Sequence, residues 1–395
     1  MYPILTLKPN KLTTITHHHP WIFSGALKDK PQDVPHGSLV YVAGPDGSIL
    51  GTGTYSAKSM IAVRVFEFGQ TAIDHGWLTR KIREANGRRA ILGYGPSTDT
   101  TGYRVVFGES DNIPGLIVDR YADTIVIQLS TAGADAMRDV IVNVLVELFH
   151  PRSIIERSDL PVRREEGLKE LVSVRYGEGP GEVEFREYGL RYAADIMHGQ
   201  KTGFYLDQKE VRREITTLTR HHRVLNLFSY TGANGVAALN CGAELVHHVD
   251  SSETALPFCR KQAELNGLDA AKVQTECADV FQWLNTHDEP LYDTAILDPP
   301  ALIKSQKDME NGRKAYHFLN RAVIRMVAHG GLLVSSSCSA FFTEDDLIMT
   351  LRKASIQAGA NLHLLKTVRQ APDHPLSVYF PESAYLKTAI CQVSR

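Results

Sequence analysis

No apolar run in these 395 residues is long enough to cross a bilayer. The N-terminus, MYPILTLKPNKLTTITHHHPW, has no basic stretch leading into an apolar core, so neither a membrane span nor a secretory signal is expected. A cytoplasmic chain with no membrane partner is the default that follows. Cysteine is scarce: five residues, an odd number, with no C-x-x-C. That excludes a disulfide framework and argues against a zinc site, and no metal is expected. Charge of one sign is lacking too. A net charge of −2 excludes a polycation that coats nucleic acid, so any phosphate contact has to come from local patches. Two patches exist: Arg80, Lys81, Arg83, Arg88 and Arg89 in LTRKIREANGRRA, and Arg157, Arg163, Arg164 and Lys169 in RSDLPVRREEGLK. Taken alone, each more often marks a solvated helix face or loop than a binding surface. There is no internal repeat and no low-complexity tract.

What is present divides into three regions, in keeping with the length. Residues 1–70 read as short strands, with a hairpin at Gly44-Pro45-Asp46-Gly47 and an alternating strand in MIAVRVFEF. Residues 72–180 mix types: a helix in GWLTRKIREANGRRAIL, strands in YRVVFGES, LIVDRYADTIVIQLS and SIIERSD, and an amphipathic helix in AGADAMRDVIVNVLVELF. The glycine-rich YGEGPGE marks the next boundary. From 183 to 395, RVLNLFS, AELVHHVDSS, KVQTECADV, YDTAILDPP, GGLLVSSSC and LHLLKTVRQ alternate with helical stretches, the pattern of βαβ units in a doubly wound parallel sheet. A last hairpin, PLSVYF and YLKTAICQVS, is expected to add a closing antiparallel strand.

Ligands of such sheets bind outside the carboxyl ends of the strands. The first strand leads into Ser229, Tyr230, Thr231 and Gly232, where a glycine lets a ligand approach the backbone. The pattern is not G-x-G-x-x-G, which weakens a pyrophosphate reading. The second strand ends in Asp250 and Ser251, an acid placed for a ribose diol. The third is followed by Asp279, placed for an adenine edge, and the fourth ends in Asp298-Pro299-Pro300-Ala301. A single acid after a strand is usually a helix cap. Four signals in order point to an adenosine ligand without a diphosphate grip, hence to S-adenosylmethionine rather than a nicotinamide cofactor.

The fifth strand runs into Ser335-Ser336-Ser337-Cys338-Ser339. A thiol at a strand end, beside Asp298 in the usual strand order, can add to a pyrimidine ring. Cys241, Cys259, Cys277 and Cys391 are expected to be packing cysteines, and taken without its neighbours Cys338 would be another.

The sequence resembles the bacterial large-subunit rRNA cytosine-5 methyltransferases of the RlmI (YccW) type. The matching pieces are HPWIFSG, GESDNIPGLIVDRYAD, RSDLPVRREEG, HGQKTGFYLDQKEVR, LNLFSYTGANGVAAL, VDSSETAL, LDPPA, SCS and DHPLSVYFPESAYLK, in the family's order over almost the whole chain. The resemblance implies an N-terminal PUA domain that holds RNA, a small α+β middle domain and a Rossmann-like methyltransferase domain. It implies that Lys201 to Gln208, including Thr202, Phe204 and Gln208, closes over the cofactor, and that Cys338 is the nucleophile with Asp298 at the pyrimidine edge. Ribosomal RNA (23S) or a large-subunit precursor particle is the implied partner, and a homodimer is one assembly left open. The base that removes the carbon 5 proton has no candidate, because Pro300-Ala301 stands where another subgroup carries a second cysteine. Two other functions stay open. One is methylation of an exocyclic base nitrogen, although Ala301 is not the aromatic such sites carry after D/N-P-P. The other is a non-catalytic RNA-binding assembly factor.

Overall fold

The computed structural model describes residues 1–287 and 292–395, and the chain divides into two compact units. The first comprises Met1–Arg186, Ala194–Leu206 and Pro372–Ser383. The second comprises Glu187–Ala193, Asp207–Ala371 and Ala384–Arg395.

The first unit holds two five-stranded sheets. One lies within residues 4–68 and contains the expected hairpin: Leu39–Ala43 and Ile49–Tyr55 pair antiparallel across the Gly44–Gly47 turn. The other runs from Gly102 to Gly177, with the helices His75–Ile91 and Arg138–Phe149. LIVDRYADTIVIQLS is two strands, Leu116–Tyr121 and Thr124–Leu129. They turn at Ala122, whose φ of 54° is unusual for a residue with a Cβ.

Much of the basic character of the two patches is turned inward. Arg89 is fully buried and binds both Asp111 oxygens at 2.7–2.8 Å, and Arg88 joins it at Asp111 Oδ1. The two guanidiniums hold the Asp111 carboxyl below its ordinary range although burial opposes this. Arg157 is bound by Asp159 and by the carbonyls of Ile196 and Gly199, and Arg163 by Asp135 and by the carbonyls of Leu129 and Lys169. These arginines brace loops. Arg80, Arg83, Arg164 and Lys169 remain exposed.

The expected final hairpin is half right. Lys387–Ser394 is a strand, but PLSVYF is not. The segment Pro372–Ser383 belongs to the first unit, where it packs on the HPW motif. Phe380 lies 4.8 Å from the Trp21 ring, and Glu382 is 3.3 Å from His19 Nε2. Asp373 Oδ2 accepts the Arg104 N–H, and the Asp373 carbonyl accepts from Arg89. These bonds hold a segment that its apolar alternation alone would have placed in a sheet.

The second unit is built on one seven-stranded sheet. In chain order its strands are β1 (Arg223–Leu227), β2 (Leu245–Asp250), β3 (Val273–Cys277), β4 (Tyr292–Leu297), β5 (Val327–Ser337), β6 (Asn361–Arg369) and β7 (Lys387–Ser394). The spatial order is β3-β2-β1-β4-β5-β7-β6. The first five are parallel, and β7 enters antiparallel between β5 and β6. Six helices accompany them: α1 (Lys209–Leu218), α2 (Ala233–Cys241), α3 (Leu256–Leu265), α4 (Val280–Thr286), α5 (Met309–Met326) and α6 (Glu344–Gln357). Side chains alternate between two apolar cores, as the two-residue period of a strand requires. Leu225, Leu297, Leu333 and Ala389 join the core with α4, α5 and α6; Val224, Ile296, Val334 and Ile390 join the one with α1, α2 and α3. Both faces are covered, which is why the strands read as nearly continuous apolar runs. β1 and β4 are adjacent at the middle of this sheet, where the crossovers change direction, and their carboxyl ends carry the candidate site.

His248 on β2 is buried, its Nδ1 3.1 Å from Asn226 Nδ2. Burial, with His247 alongside, pushes it down to about 3, so the folded chain keeps it neutral. The unfolded chain takes up a proton near pH 6.5. Stability is therefore unaffected above that pH and falls as pH drops below it, by about 2 kcal/mol at pH 5. Urea unfolding from pH 8 to 5 should show the decline, and His248→Leu should flatten the slope while lowering stability throughout.

Candidate active site

The loop after β1 is held in a contorted path. Phe228, Tyr230 and Gly232 all have positive φ, 56°, 47° and 79°. Strain at non-glycine residues persists only where surrounding contacts impose it, and here they do. Tyr230 N donates to Asp250 Oδ2 at 2.8 Å, Ser229 N to the Val249 carbonyl, and Gly232 N to the Ser229 carbonyl. A Cβ on Gly232 would lie 2.7 Å from Cys259 Sγ, so no other residue fits without displacing α3. Ser229 and Thr231 are buried and Tyr230 is half-buried.

Asp250 closes β2 and ties this loop to the segment that follows β2. Oδ2 takes Tyr230 N, and Oδ1 takes Ser252 N at 2.8 Å. A carboxylate oxygen accepts more than one hydrogen bond, so each keeps capacity for a hydroxyl. Ser251 is exposed, and its carbonyl is 3.7 Å from Cys277 Sγ; Ser252 is the residue tied to Asp250. Asp279 is a helix cap that stays open to solvent. Its Oδ1 caps α4 by accepting Gln282 N at 2.9 Å, while its position after β3 leaves it exposed at the same sheet edge.

At the end of β4, Asp298 is half-buried and Oδ2 accepts Gln208 Nε2 at 2.8 Å. Pro299 is buried and Pro300 exposed. Of the stretch expected to cover the cofactor, Gln208 belongs to the second unit. Thr202 and Phe204 belong to the first, and their side chains face its interior. Thr202 donates to Asp119 Oδ2 at 2.7 Å and meets Tyr121 Oη at 2.9 Å, and Phe204 packs edge-on against Phe185. Neither side chain is presented to a ligand, which departs from what the resemblance implies for them.

Cys338 lies just past β5, half-exposed, between fully buried serines. The hydroxyls around it form a scaffold. Ser335 donates to Asn320 Oδ1 at 2.7 Å, and Ser336 pairs with Thr388 at 2.8 Å. Ser337 donates to Tyr316 Oη at 2.8 Å, and Tyr316 meets Ser339 Oγ at 3.0 Å. Ser339 Oγ also accepts Ile303 N, which ties the turn carrying Cys338 to the loop that follows Asp298-Pro299. Polar groups at the end of a buried strand thus satisfy one another and fix the thiol between α5 and β7. Of the two phenylalanines that follow, Phe342 is buried and stacks on Tyr316 at 4.6 Å, while Phe341 is exposed.

The other thiols divide. Cys259 and Cys391 are buried, and burial pushes each up to about 12, as expected of packing cysteines. Cys241, at the end of α2, is half-buried, whereas Cys277 is exposed, contrary to expectation, because β3 is an edge strand. Among the described residues no His, Cys, Asp and Glu cluster could hold a metal, and no helix is long and apolar enough to cross a membrane.

The site fits S-adenosylmethionine on its own chemistry. Among the described residues, Gln208 Oε1 and Asn234 Oδ1 are buried acceptors without a hydrogen-bond partner, and Ser229 Oγ has no nitrogen or oxygen partner. Buried polar atoms of this kind call for a donor from elsewhere. The acids at Asp250 and Asp279 suit hydroxyl and amine donors, and the Gly232 turn allows close approach.

Two residues escaped the sequence reading. Gln208 was named for the cofactor but not as the partner of Asp298. Lys387, the last residue of the DHPLSVYFPESAYLK piece, had no role, although a lysine opening a buried strand is a signal in itself.

Comparison with known proteins agrees with this geometry. A family model for S-adenosylmethionine-dependent methyltransferases matches residues 170–388, and one for PUA-like domains matches residues 5–68. The chain is 38% identical over 378 residues to ribosomal RNA large subunit methyltransferase I of Aeromonas salmonicida, covering 95% of each protein. It is 35% identical to the protein of that name from Klebsiella pneumoniae, covering 100% of this chain and 99% of the relative. The fold matches a crystal structure of the methyltransferase SMU.776 with SAH bound, at a TM-score of 0.84 and 23% identity, over 99% of this chain and 100% of that one. With its site and its fold in place, the chain belongs to the family of the ribosomal RNA large subunit methyltransferases I, S-adenosylmethionine-dependent methyltransferases that carry a PUA-like domain.

Proposed function

We propose that this protein methylates carbon 5 of a cytosine in large-subunit (23S) ribosomal RNA through a covalent adduct on Cys338, in the cytoplasm. The observation that carries the reading is the half-exposed thiol beside β4, locked to the Asp298 loop through Ser339. Bound against Gln208, Ser229 to Gly232, Asp250 and Asp279, the cofactor supplies an electrophilic methyl group on a sulfonium.

Carbon 5 of cytosine is a weak nucleophile. Addition of the Cys338 sulfur to carbon 6 makes carbon 5 enamine-like and ready to accept a methyl group, which divides one hard step into two easier ones. Asp298, oriented by Gln208, accepts a hydrogen bond from the N4 amine of the ring. Cytosine inside a helix is not reachable, so the nucleotide is splayed out, at a cost of a few kcal/mol. Phe341, exposed beside the thiol, offers a face on which the flipped base stacks. Residues 1–70 hold RNA, residues 72–180 brace that region, and residues 183–395 carry the chemistry. Two relatives named as ribosomal RNA methyltransferases, matched almost end to end, support the choice of RNA class.

Bisulfite sequencing of ribosomal RNA from cells with and without the gene tests the reading, since 5-methylcytosine resists deamination. One protected cytosine in large-subunit RNA is expected, lost without the gene. In vitro reactions on naked 23S RNA and on precursor particles then identify the form that is modified. Methylation on an exocyclic nitrogen, with no protected cytosine, would replace this reading.

A further inference from the structure

We propose that Lys387 is the charge partner of Cys338: its ammonium stands beside the turn that carries the sulfur and holds the thiolate ready to attack. The inference rests on Cys338 being the nucleophile and adds the residue that makes it one. Lys387 opens β7 and is 7% exposed. In the sheet it stands opposite Ser337, the residue before Cys338, and its Nζ donates at 2.6 Å to the carbonyl of Ser339, the residue after. The side chain thus brackets the turn that carries the sulfur.

A buried lysine is costly unless it has a function or an anionic partner. The charged and titratable groups facing it are few. Glu344 and Asp346 come from α6, Arg369 from β6 and Cys338 from the end of β5, and Tyr316 of α5 faces Cys338. Glu344 is bound by Arg369 at 3.0 Å and Asp346 by Arg313 at 2.7 Å, so both carboxylates have cations of their own. Burial pushes the Lys387 ammonium down to about 8, while Cys338 and the two carboxylates pull the other way. A lysine ammonium beside a thiol favours the thiolate near neutral pH.

The step balances. The S–H bond breaks, its electron pair stays on sulfur, and the proton leaves to solvent water, while the Lys387 ammonium stabilises the anion. Sulfur then adds to carbon 6. When the carbon 5 proton passes to water, its bonding pair re-forms the carbon 5–carbon 6 double bond, the carbon–sulfur bond breaks with its pair returning to sulfur, and the thiolate again faces the ammonium.

Iodoacetamide alkylation of the full chain as a function of pH, read at each cysteine by mass spectrometry, tests this without RNA. Exposed Cys277 serves as the internal reference. In Lys387→Met and Lys387→Gln the alkylation midpoint of Cys338 should rise by about one pH unit, with a roughly tenfold slower reaction at pH 7. Lys387→Arg should restore most of it, and Cys277 should not change. An unmoved Cys338 midpoint in the uncharged variants overturns the proposal, as does a midpoint that Lys387→Arg leaves equally high. The nucleophile reading is tested separately with RNA containing 5-fluorocytidine, on which a carbon 6 adduct accumulates because no proton can leave carbon 5. If the wild type forms no adduct although the midpoint moves, Cys338 is not the nucleophile, and the ion pair has no part in catalysis.

Discussion

Cys338→Ala is expected to lower methyl transfer to ribosomal RNA by on the order of 10⁴-fold or more, the scale seen when a covalent nucleophile is removed. Binding of S-adenosylmethionine should change by less than about twofold, since none of the residues assigned to it depends on the sulfur. The split between the two readouts gives the variant its value. The serines on either side of Cys338 are buried and bonded to Asn320, Thr388 and Tyr316, so the turn keeps its shape when the thiol is removed. Loss of transfer with retained cofactor binding therefore reports chemistry. Radiolabelled methyl transfer and titration calorimetry measure the two quantities on one preparation. A variant that keeps full transfer would remove the covalent route and leave the exocyclic-nitrogen reaction, which needs no thiol.

Asp250→Ala is expected to weaken S-adenosylmethionine binding by on the order of 10²–10³-fold. Two effects combine. A charged hydrogen bond is worth about 1.5–3 kcal/mol, and a diol facing a carboxylate makes up to two of them. The same carboxylate anchors Tyr230 N and Ser252 N, so its loss releases the loop that Phe228 and Tyr230 hold in a strained conformation. Asp250→Asn should lose less, because the amide oxygen replaces one of the two anchors. Calorimetry ranks the three proteins. Equal binding in all three would show that the cofactor's ribose lies elsewhere.

Much of the methyltransferase unit was legible in the sequence. RVLNLFS, AELVHHVDSS, YDTAILDPP and GGLLVSSSC are nearly continuous apolar runs ending in polar residues, the mark of strands covered on both faces with a site at their carboxyl ends. For that reason Asp250, Asp279, Asp298 and Cys338 stand out as candidates before any fold is known. The failures have a common origin. PLSVYF alternates like a strand, yet the bonds that place it, from Arg104 N and Arg89 to Asp373, span more than 260 positions. Thr202 and Phe204 lie in a motif with a strong family likeness, but their partners Asp119, Tyr121 and Phe185 come from other elements. The arginine clusters looked like surface because charge pattern alone does not reveal a buried Asp111 to receive Arg89.

By itself the sequence determined the class of fold, the order of the strands' functional ends and the kind of cofactor, because apolar period and strand-end residues are local properties that the chain carries at each point. Tertiary structure alone decided which groups meet: Gln208 with Asp298, Ser339 with Ile303, and Lys387 with the turn of Cys338. Each such pair is separated by 36 or more positions. Its geometry depends on sheet order, above all on the insertion of β7 between β5 and β6, and no local pattern encodes that placement.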